Sequence, residues 1–230
     1  MSNIHVEARQ VVVPGQVLAT GMDYLPGDNT YRREEEIIAK RLGTAATDGR
    51  VIKVTPLNGP YFPKVGDKII GKVFDILMSG WRIDTGSVYP AMLPVRDASN
   101  KFVKSENLRN LLDIDDYCVV KITKVSSQNM VDVGMRDPEL HKLEGGRVIK
   151  INCNKVPRVI GKMGSMVGLI KKHTNADITV GQNGLVWVRA DNAQDELRAE
   201  TAIKIVNEHA HQSGLTEKVE AYLNGVQETA

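Results

Sequence analysis

The chain has 230 residues, enough for one large or two to three small domains, and its 42% apolar and 25% charged composition describes a water-soluble globular protein. No run of roughly 18 apolar residues occurs, and the start Met1-Ser2-Asn3-Ile4-His5 lacks a charged-then-apolar leader, so neither a membrane partner nor export is expected and the cytoplasm is the expected location. Cys118 and Cys153 stand alone in apolar stretches with no C-x-x-C pair, which predicts packed, reduced thiols, no metal site and no cofactor. The net charge of +2 is unevenly spread. From Lys142 to Lys172 eight basic residues face one acidic residue, Glu144, which makes that block +7 and the remainder −5. A local basic block on an otherwise mildly acidic chain suits a phosphate backbone.

Residues 1–62 read as a small β module. Strands are expected over Val11-Val12-Val13, Val17–Gly21, Ile37–Lys40 and Val51–Leu57, separated by the turn clusters Pro26-Gly27-Asp28-Asn29 and Thr47-Asp48-Gly49. Glu34-Glu35-Glu36 after Arg32-Arg33 reads as a solvated strand edge. Asn58-Gly59-Pro60-Tyr61-Phe62-Pro63 is a cluster of turn residues and marks a linker.

Residues 63–137 carry five short strand patterns: Val65–Ile76, Trp81–Thr85, Val88–Leu93, Cys118–Val125 and Met130–Met135. One long connection runs from Arg96 to Asp116. That count fits a five-stranded OB barrel. Such a barrel binds single strands through a basic groove and exposed aromatic faces. The candidates here are Lys72, Trp81, Arg82, Tyr89, Arg96, Lys101, Phe102 and Lys121, although Trp81 and Tyr89 are equally compatible with a core position.

Residues 145–212 show a different order. Arg147–Asn152 is a strand and Lys155–Ile160 about one helical turn. Gly161-Lys162-Met163-Gly164 follows, then an amphipathic helix with Met166, Leu169, Ile170 and His173 on one face. Strands at Ala176–Val180 and Leu185–Arg189 flank Gly181-Gln182-Asn183-Gly184, whose Asn-Gly pair is a hairpin signal. Asp191 and Gln194 are expected to cap a last long helix striped by Ala199, Ala202, Ile203, Val206 and Ala210. Strand, helix, G-x-x-G, helix, strand, hairpin, strand, helix is the element order of a type I KH domain. Its loop would grip RNA phosphates with Lys155, Arg158, Gly161, Lys162, Met163 and Gly164. Residues 213–230 add a short helix and a tail. The fold class expected is therefore multidomain, mostly β in the N-terminal half with an α+β C-terminal domain.

The G-D-x-I-x-G-K-V opening at Gly66–Val73 and the Asp115–Ile122 strand resemble the OB-type RNA-binding domain first recognised in a bacterial ribosomal protein. The chain departs from that pattern around Gly80, where it has Ser79 and Arg82 instead of exposed phenylalanines, and at Pro94, where a histidine is common. With the Val13–Gly21 and Pro56–Asp67 segments, the chain resembles the KH-containing RNA-binding cap subunit of the exosome, in an archaeal-like form. The resemblance implies a non-catalytic protein. Its partners would be single-stranded RNA, RNase-PH-type ring subunits and other cap subunits. The N-terminal module would dock on the ring and the barrels would line the path of RNA 3′ ends into the pore. An OB/KH factor of transcription or translation, or a purely structural scaffold of the ring, is the alternative.

Overall fold

The computed structural model describes residues 3–99, 108–212 and 214–225. The chain divides into two units, Met1–Gly59 and Pro60–Ala230.

The first unit holds eight strands: β1 Asn3–Ile4, β2 Val11–Val12, β3 Val17–Thr20, β4 Leu25–Pro26, β5 Thr30–Arg33, β6 Glu36–Ala39, β7 Gly43–Asp48 and β8 Val51–Pro56. They form two four-stranded sheets ordered β1-β3-β6-β5 and β2-β7-β8-β4. Val12, Leu18, Ile37, Ile52 and Val54 fill their shared core. The Glu34-Glu35-Glu36 segment is not simply a strand edge. Glu34 and Glu35 turn the β5–β6 hairpin, Glu34 at φ 54°, and Glu36 ends the turn with its carboxylate 3.0 Å from Arg33.

In the second unit, β9 Lys68–Leu77, β10 Gly80–Asp84, β11 Ala91–Pro94, β12 Tyr117–Val125 and β13 Val131–Gly134 close a five-stranded barrel. Four contacts around it are antiparallel, and β11 runs parallel to β13 through Ala91 opposite Val131. Short helices α1 Val95–Ala98 and α2 Leu108–Leu111 lie in the connection between β11 and β12. Gly80 makes the β9–β10 corner possible: its φ is +149° and a Cβ would sit 2.0 Å from the Leu93 carbonyl oxygen.

Beyond β14 Lys142–Leu143, which extends the barrel sheet along β12, the KH elements follow in the expected order. They are β15 Arg147–Lys150, α3 Val156–Ile160, α4 Ser165–Thr174, β16 Asp177–Val180, β17 Leu185–Arg189 and α5 Ala193–Glu208, with α6 Leu215–Leu223 appended. The antiparallel sheet has the order β15-β17-β16. The cap of α5 differs from expectation. Asn192 stands at the N-cap, but its side chain caps no backbone N–H and donates to Asp195 Oδ2 at 3.4 Å, while the Ala190 N–H donates to Glu196 Oε1 at 3.3 Å.

The two faces of the KH sheet are both covered. Val186 and Val188 of β17 join the core under the KH helices, whereas Trp187 belongs to the barrel core, with Leu185 and Val148 packed against it. Alternate side chains point to opposite faces, so a strand sandwiched this way reads as one continuous apolar run. The Gly181–Gly184 hairpin tip completes the join. Val73 exchanges backbone bonds with Asp115 and Asp116 on the β12 side, and the antiparallel alternation turns the groups of Ile70 towards the opposite edge of β9, beyond the end of β10. Asn183, 6% exposed, fills that gap. Its Nδ2 donates to the carbonyls of Ile70 (2.7 Å) and Thr85 (2.8 Å), and its Oδ1 accepts from the Ile70 N–H at 3.3 Å. The neighbouring Gln182 N–H donates to the Lys68 carbonyl at 2.9 Å. The side-chain amide thus extends the barrel ladder as a peptide group would.

Candidate nucleic-acid interface

Helix α3 ends at Gly161, whose N–H donates back to the Pro157 carbonyl at 3.0 Å and whose φ of 76° takes the chain out of the helix. A Cβ at Gly161 would lie 2.6 Å from the Met166 nitrogen and 2.8 Å from Ser165 Oγ, so the tight return into α4 requires the missing side chain. Lys162 to Gly164 form a tight turn in which Met163, at φ 54°, is left-handed and 100% exposed. Gly164, at φ 81°, is the N-cap of α4 and offers no capping side chain. The first N–H groups of this ten-residue helix lack intrahelical acceptors and face the end where the helix dipole is positive.

The charges around the loop are one-sided. From Lys155 to Lys172 the sequence holds five cations and no carboxylate. Among the described residues Arg158, Lys162, Lys171 and Lys172 take part in no ion pair, and all four are exposed. Lys155 is committed elsewhere: its ammonium donates to the Asn207 carbonyl at 2.6 Å and ties α3 to α5. Two other members of the basic block are also matched. Lys142 Nζ lies 2.5 Å from Asp116, and Arg147 lies 3.5 Å from Glu196 and 3.7 Å from Glu200.

The barrel residues fare differently. Trp81 is corrected outright as a stacking platform: it is 0% exposed, in the barrel core, and its Nε1 donates to the Leu112 carbonyl at 2.9 Å. Strand phase decides this, since β10 alternates Trp81 and Ile83 inwards with Arg82 and Asp84 outwards. Each of the four described cations lies against a carboxylate: Lys72 with Asp115 (2.7 Å), Arg82 with Asp75 (3.9 Å), Arg96 with Asp97 (3.3 Å) and Lys121 with Asp137 (3.2 Å). The Lys72 ammonium is held above the usual lysine range by its hydrogen bond to Asp115 and then by that residue's charge. Lys101 and Phe102 lie outside the described residues. Lys121 lines a cleft of about 380 Å³ with Asp97, Arg136 and Asp137, so cations and carboxylates alternate there too.

Tyr89 is 46% exposed and does line a cavity. Its neighbours are residues that read in sequence as linker and turn: Tyr61, Phe62 and Pro63 from the segment before β9, Ser87 and Val88 from the β10–β11 loop, and Val125 and Asn129 near the β12–β13 turn. Tyr61 is buried, and its hydroxyl donates to Asp67 at 2.6 Å. The aromatic pair Tyr61-Phe62 was the available signal, masked by the four turn formers Asn58, Gly59, Pro60 and Pro63. Among the described residues no group of three or more His, Cys, Asp or Glu converges as metal ligands would, and no helix is long and apolar enough to cross a membrane.

A β module, a closed OB barrel and a βααββα unit with a Gly-x-x-Gly loop define the class: a multidomain OB–KH protein. Residues 146–194 match the family model of the KH domain, and residues 11–48 match that of the exosome complex exonuclease RRP4 N-terminal region. The chain is 40% identical over 220 residues to the exosome complex component Rrp4 of Methanothermus fervidus, covering 96% of this chain and 97% of that one. It is 38% identical over 227 residues to the protein of the same name from Pyrococcus abyssi, covering 97% and 85%. A solved structure described as an exosome complex RNA-binding protein superposes with a TM-score of 0.66 at 29% identity, over 73% of this chain and 97% of that one. The chain belongs to the exosome complex component Rrp4 family.

Proposed function

We propose that this protein is a non-catalytic RNA-binding cap of the exosome. It recruits single-stranded RNA, guides 3′ ends into an RNase-PH-type ring, stabilises the assembly together with other cap subunits, and works in the cytoplasm. The observation that carries the RNA reading is the Gly161–Gly164 loop. It combines a sharp backbone turn, the uncapped start of α4 and four unmatched cations with no nearby carboxylate in sequence. This is the chemistry of a phosphate grip.

The charge distribution favours the KH loop as the main phosphate contact and gives the barrel a lesser electrostatic part. Exposed ion pairs such as Lys72–Asp115 are weak and open to competition from RNA phosphates, yet each leaves no net local charge to attract them. Replacing Lys162-Met163 by Asp-Asp should weaken binding of single-stranded RNA to the chain and to its complex while leaving the unfolding midpoint unchanged. Unchanged affinity would remove the loop from the RNA path. The non-catalytic reading is checked with the purified chain, which should leave labelled RNA intact unless the ring subunits are added. The docking partners are checked by co-purification, where recovery of RNase-PH-type subunits supports the assembly and recovery of ribosomes or polymerase in their place refutes it.

A further inference from the structure

Asparagine followed by glycine is the pair in which a backbone nitrogen closes most readily on the preceding side-chain amide, because glycine brings no Cβ to the ring that forms. The chain holds three such pairs, Asn58-Gly59, Asn183-Gly184 and Asn224-Gly225. Asn58 and Asn224 are exposed. Asn183 is 6% exposed, at the hairpin tip that joins the KH sheet to the barrel. There each atom the ring closure needs is held. The leaving nitrogen, Nδ2, donates to the Ile70 and Thr85 carbonyls, and Oδ1 accepts from the Ile70 N–H. The attacking nitrogen is engaged as well, since the Gly184 N–H donates to the Gly181 carbonyl at 3.0 Å. The joint demands both residues in succession. Asn183 supplies the donors and the acceptor that continue the barrel ladder. At Gly184, φ +83°, a Cβ would lie 2.5 Å from the Ile151 carbonyl oxygen, and the Ile151 N–H donates to the Gly184 carbonyl at 2.8 Å.

We infer that Asn183-Gly184 is a modification site guarded by the joint: when the hairpin leaves the barrel, Asn183 deamidates, and the joint does not form again. On opening, water reaches the hairpin tip and solvent base takes the proton of the Gly184 nitrogen, which attacks Asn183 Cγ. The bond from that nitrogen to Cγ forms, the Cγ–Nδ2 bond breaks, and ammonia leaves with a proton returned by solvent. A succinimide remains. One water then opens it. Cleavage between the nitrogen and Cγ gives aspartate, and cleavage between the nitrogen and the main-chain carbonyl carbon gives isoaspartate, which adds one carbon to the backbone of the hairpin. Either product sets a carboxylate where two donors had faced the Ile70 and Thr85 carbonyls. Burying that charge without a partner is costly, so the product favours the open arrangement. A transient opening is thereby recorded as a lasting loss of the attachment between barrel and KH domain. The inference stands apart from the RNA reading, since it uses only the joint.

The test ages the full chain in mildly alkaline buffer, with and without unfolding guanidinium chloride, and follows the Asn-Gly sites by peptide mapping with mass spectrometry. Asn183 should deamidate about a hundredfold more slowly in native buffer than in denaturant, the factor set by an opening that breaks three hydrogen bonds. Asn224 should differ far less between the two. Gly181→Ala keeps the Asn-Gly pair and opens the joint, because a Cβ there would lie 2.4 Å from Asn183 Oδ1 and 2.7 Å from the Ile70 nitrogen. In that variant the native-buffer rate at Asn183 should rise towards the denatured one. Should the variant not fold, the wild type in the two solvents still decides: equal rates at Asn183 refute the guard. The lasting loss is tested in an Asn58→Gln/Asn224→Gln chain, where Asn183 heads the remaining Asn-Gly pair. After ageing in denaturant and return to buffer, anion exchange separates the deamidated chains. Those whose map shows aspartate or isoaspartate at 183 should keep a red-shifted Trp187 emission, whereas unmodified chains recover the native spectrum. Modified chains that recover both the native emission and the native unfolding midpoint overturn the inference.

Discussion

Replacing Asn183 by alanine should separate the barrel from the KH domain without unfolding either core. The substitution removes three hydrogen bonds, to the Ile70 N–H, the Ile70 carbonyl and the Thr85 carbonyl. At about 1 kcal/mol net for each, the loss comes to roughly 3 kcal/mol, and any of these backbone groups that stays dry adds to it. Urea unfolding followed by tryptophan fluorescence suits the measurement, because one of the two tryptophans, Trp187, lies in the joint and the other, Trp81, in the barrel core. The expected result is a lower midpoint with a red-shifted native emission as Trp187 gains water. Asn183→Asp is the sharper variant. It loses both donors and turns a carboxylate towards two carbonyl oxygens, so at neutral pH it should be less stable than Asn183→Ala. That environment raises the folded-state pKa of the introduced acid. The penalty should therefore shrink as pH falls through that raised value, where the protonated acid again donates. A loss under about 0.5 kcal/mol for Asn183→Ala, the range of an ordinary surface change, with unchanged emission, would refute the reasoning.

Other substitutions test the placement of the nominated residues. Trp81→Ala should cost about 3–5 kcal/mol of stability, and at temperatures where the variant stays folded its RNA affinity should match the wild type; a selective loss of affinity at full stability would return Trp81 to the binding surface. Lys162→Gln should reduce the slope of log affinity against log salt by about 0.7, whereas Lys72→Gln, which gives up a cation already beside Asp115, should change it by far less; equal changes would refute the assignment. Burial, and then the hydrogen bond to Asp67, hold the Tyr61 phenol well above the usual tyrosine range. A group raised in the folded state contributes stability below its unfolded pKa and loses it above, so this contribution should be constant up to about pH 10 and decline beyond. Tyr61→Phe should flatten that part of the stability curve, and parallel curves for the two proteins would show that Tyr61 contributes nothing to it.

Much of the architecture was legible because it rests on short-range pattern. The 3.6-residue stripe of α4, the Gly-x-x-Gly turn before it and the alternation in β10 and β12 each follow from local backbone geometry, and their order along the chain pointed to the barrel and the KH domain. Strands β5 and β7 were not legible. Thr-Tyr-Arg-Arg and Gly-Thr-Ala-Ala-Thr-Asp lack apolar alternation, and they become strands because neighbours on each sheet supply their hydrogen bonds.

The sequence by itself determined the main barrel and KH elements, their order and the one-sided charge around Gly161–Gly164, since helix periodicity, turn chemistry and formal charge are properties of neighbouring residues. Only the tertiary structure decided what those residues are free to do. It turned Trp81 inwards, set carboxylates beside Lys72, Arg82 and Lys121, and drew Lys155 onto Asn207. It also made a hairpin signal into a joint and a linker aromatic into the wall of a cavity. Each of these depends on contacts between residues distant in the chain, where strand phase and sheet closure, not local preference, settle which groups meet.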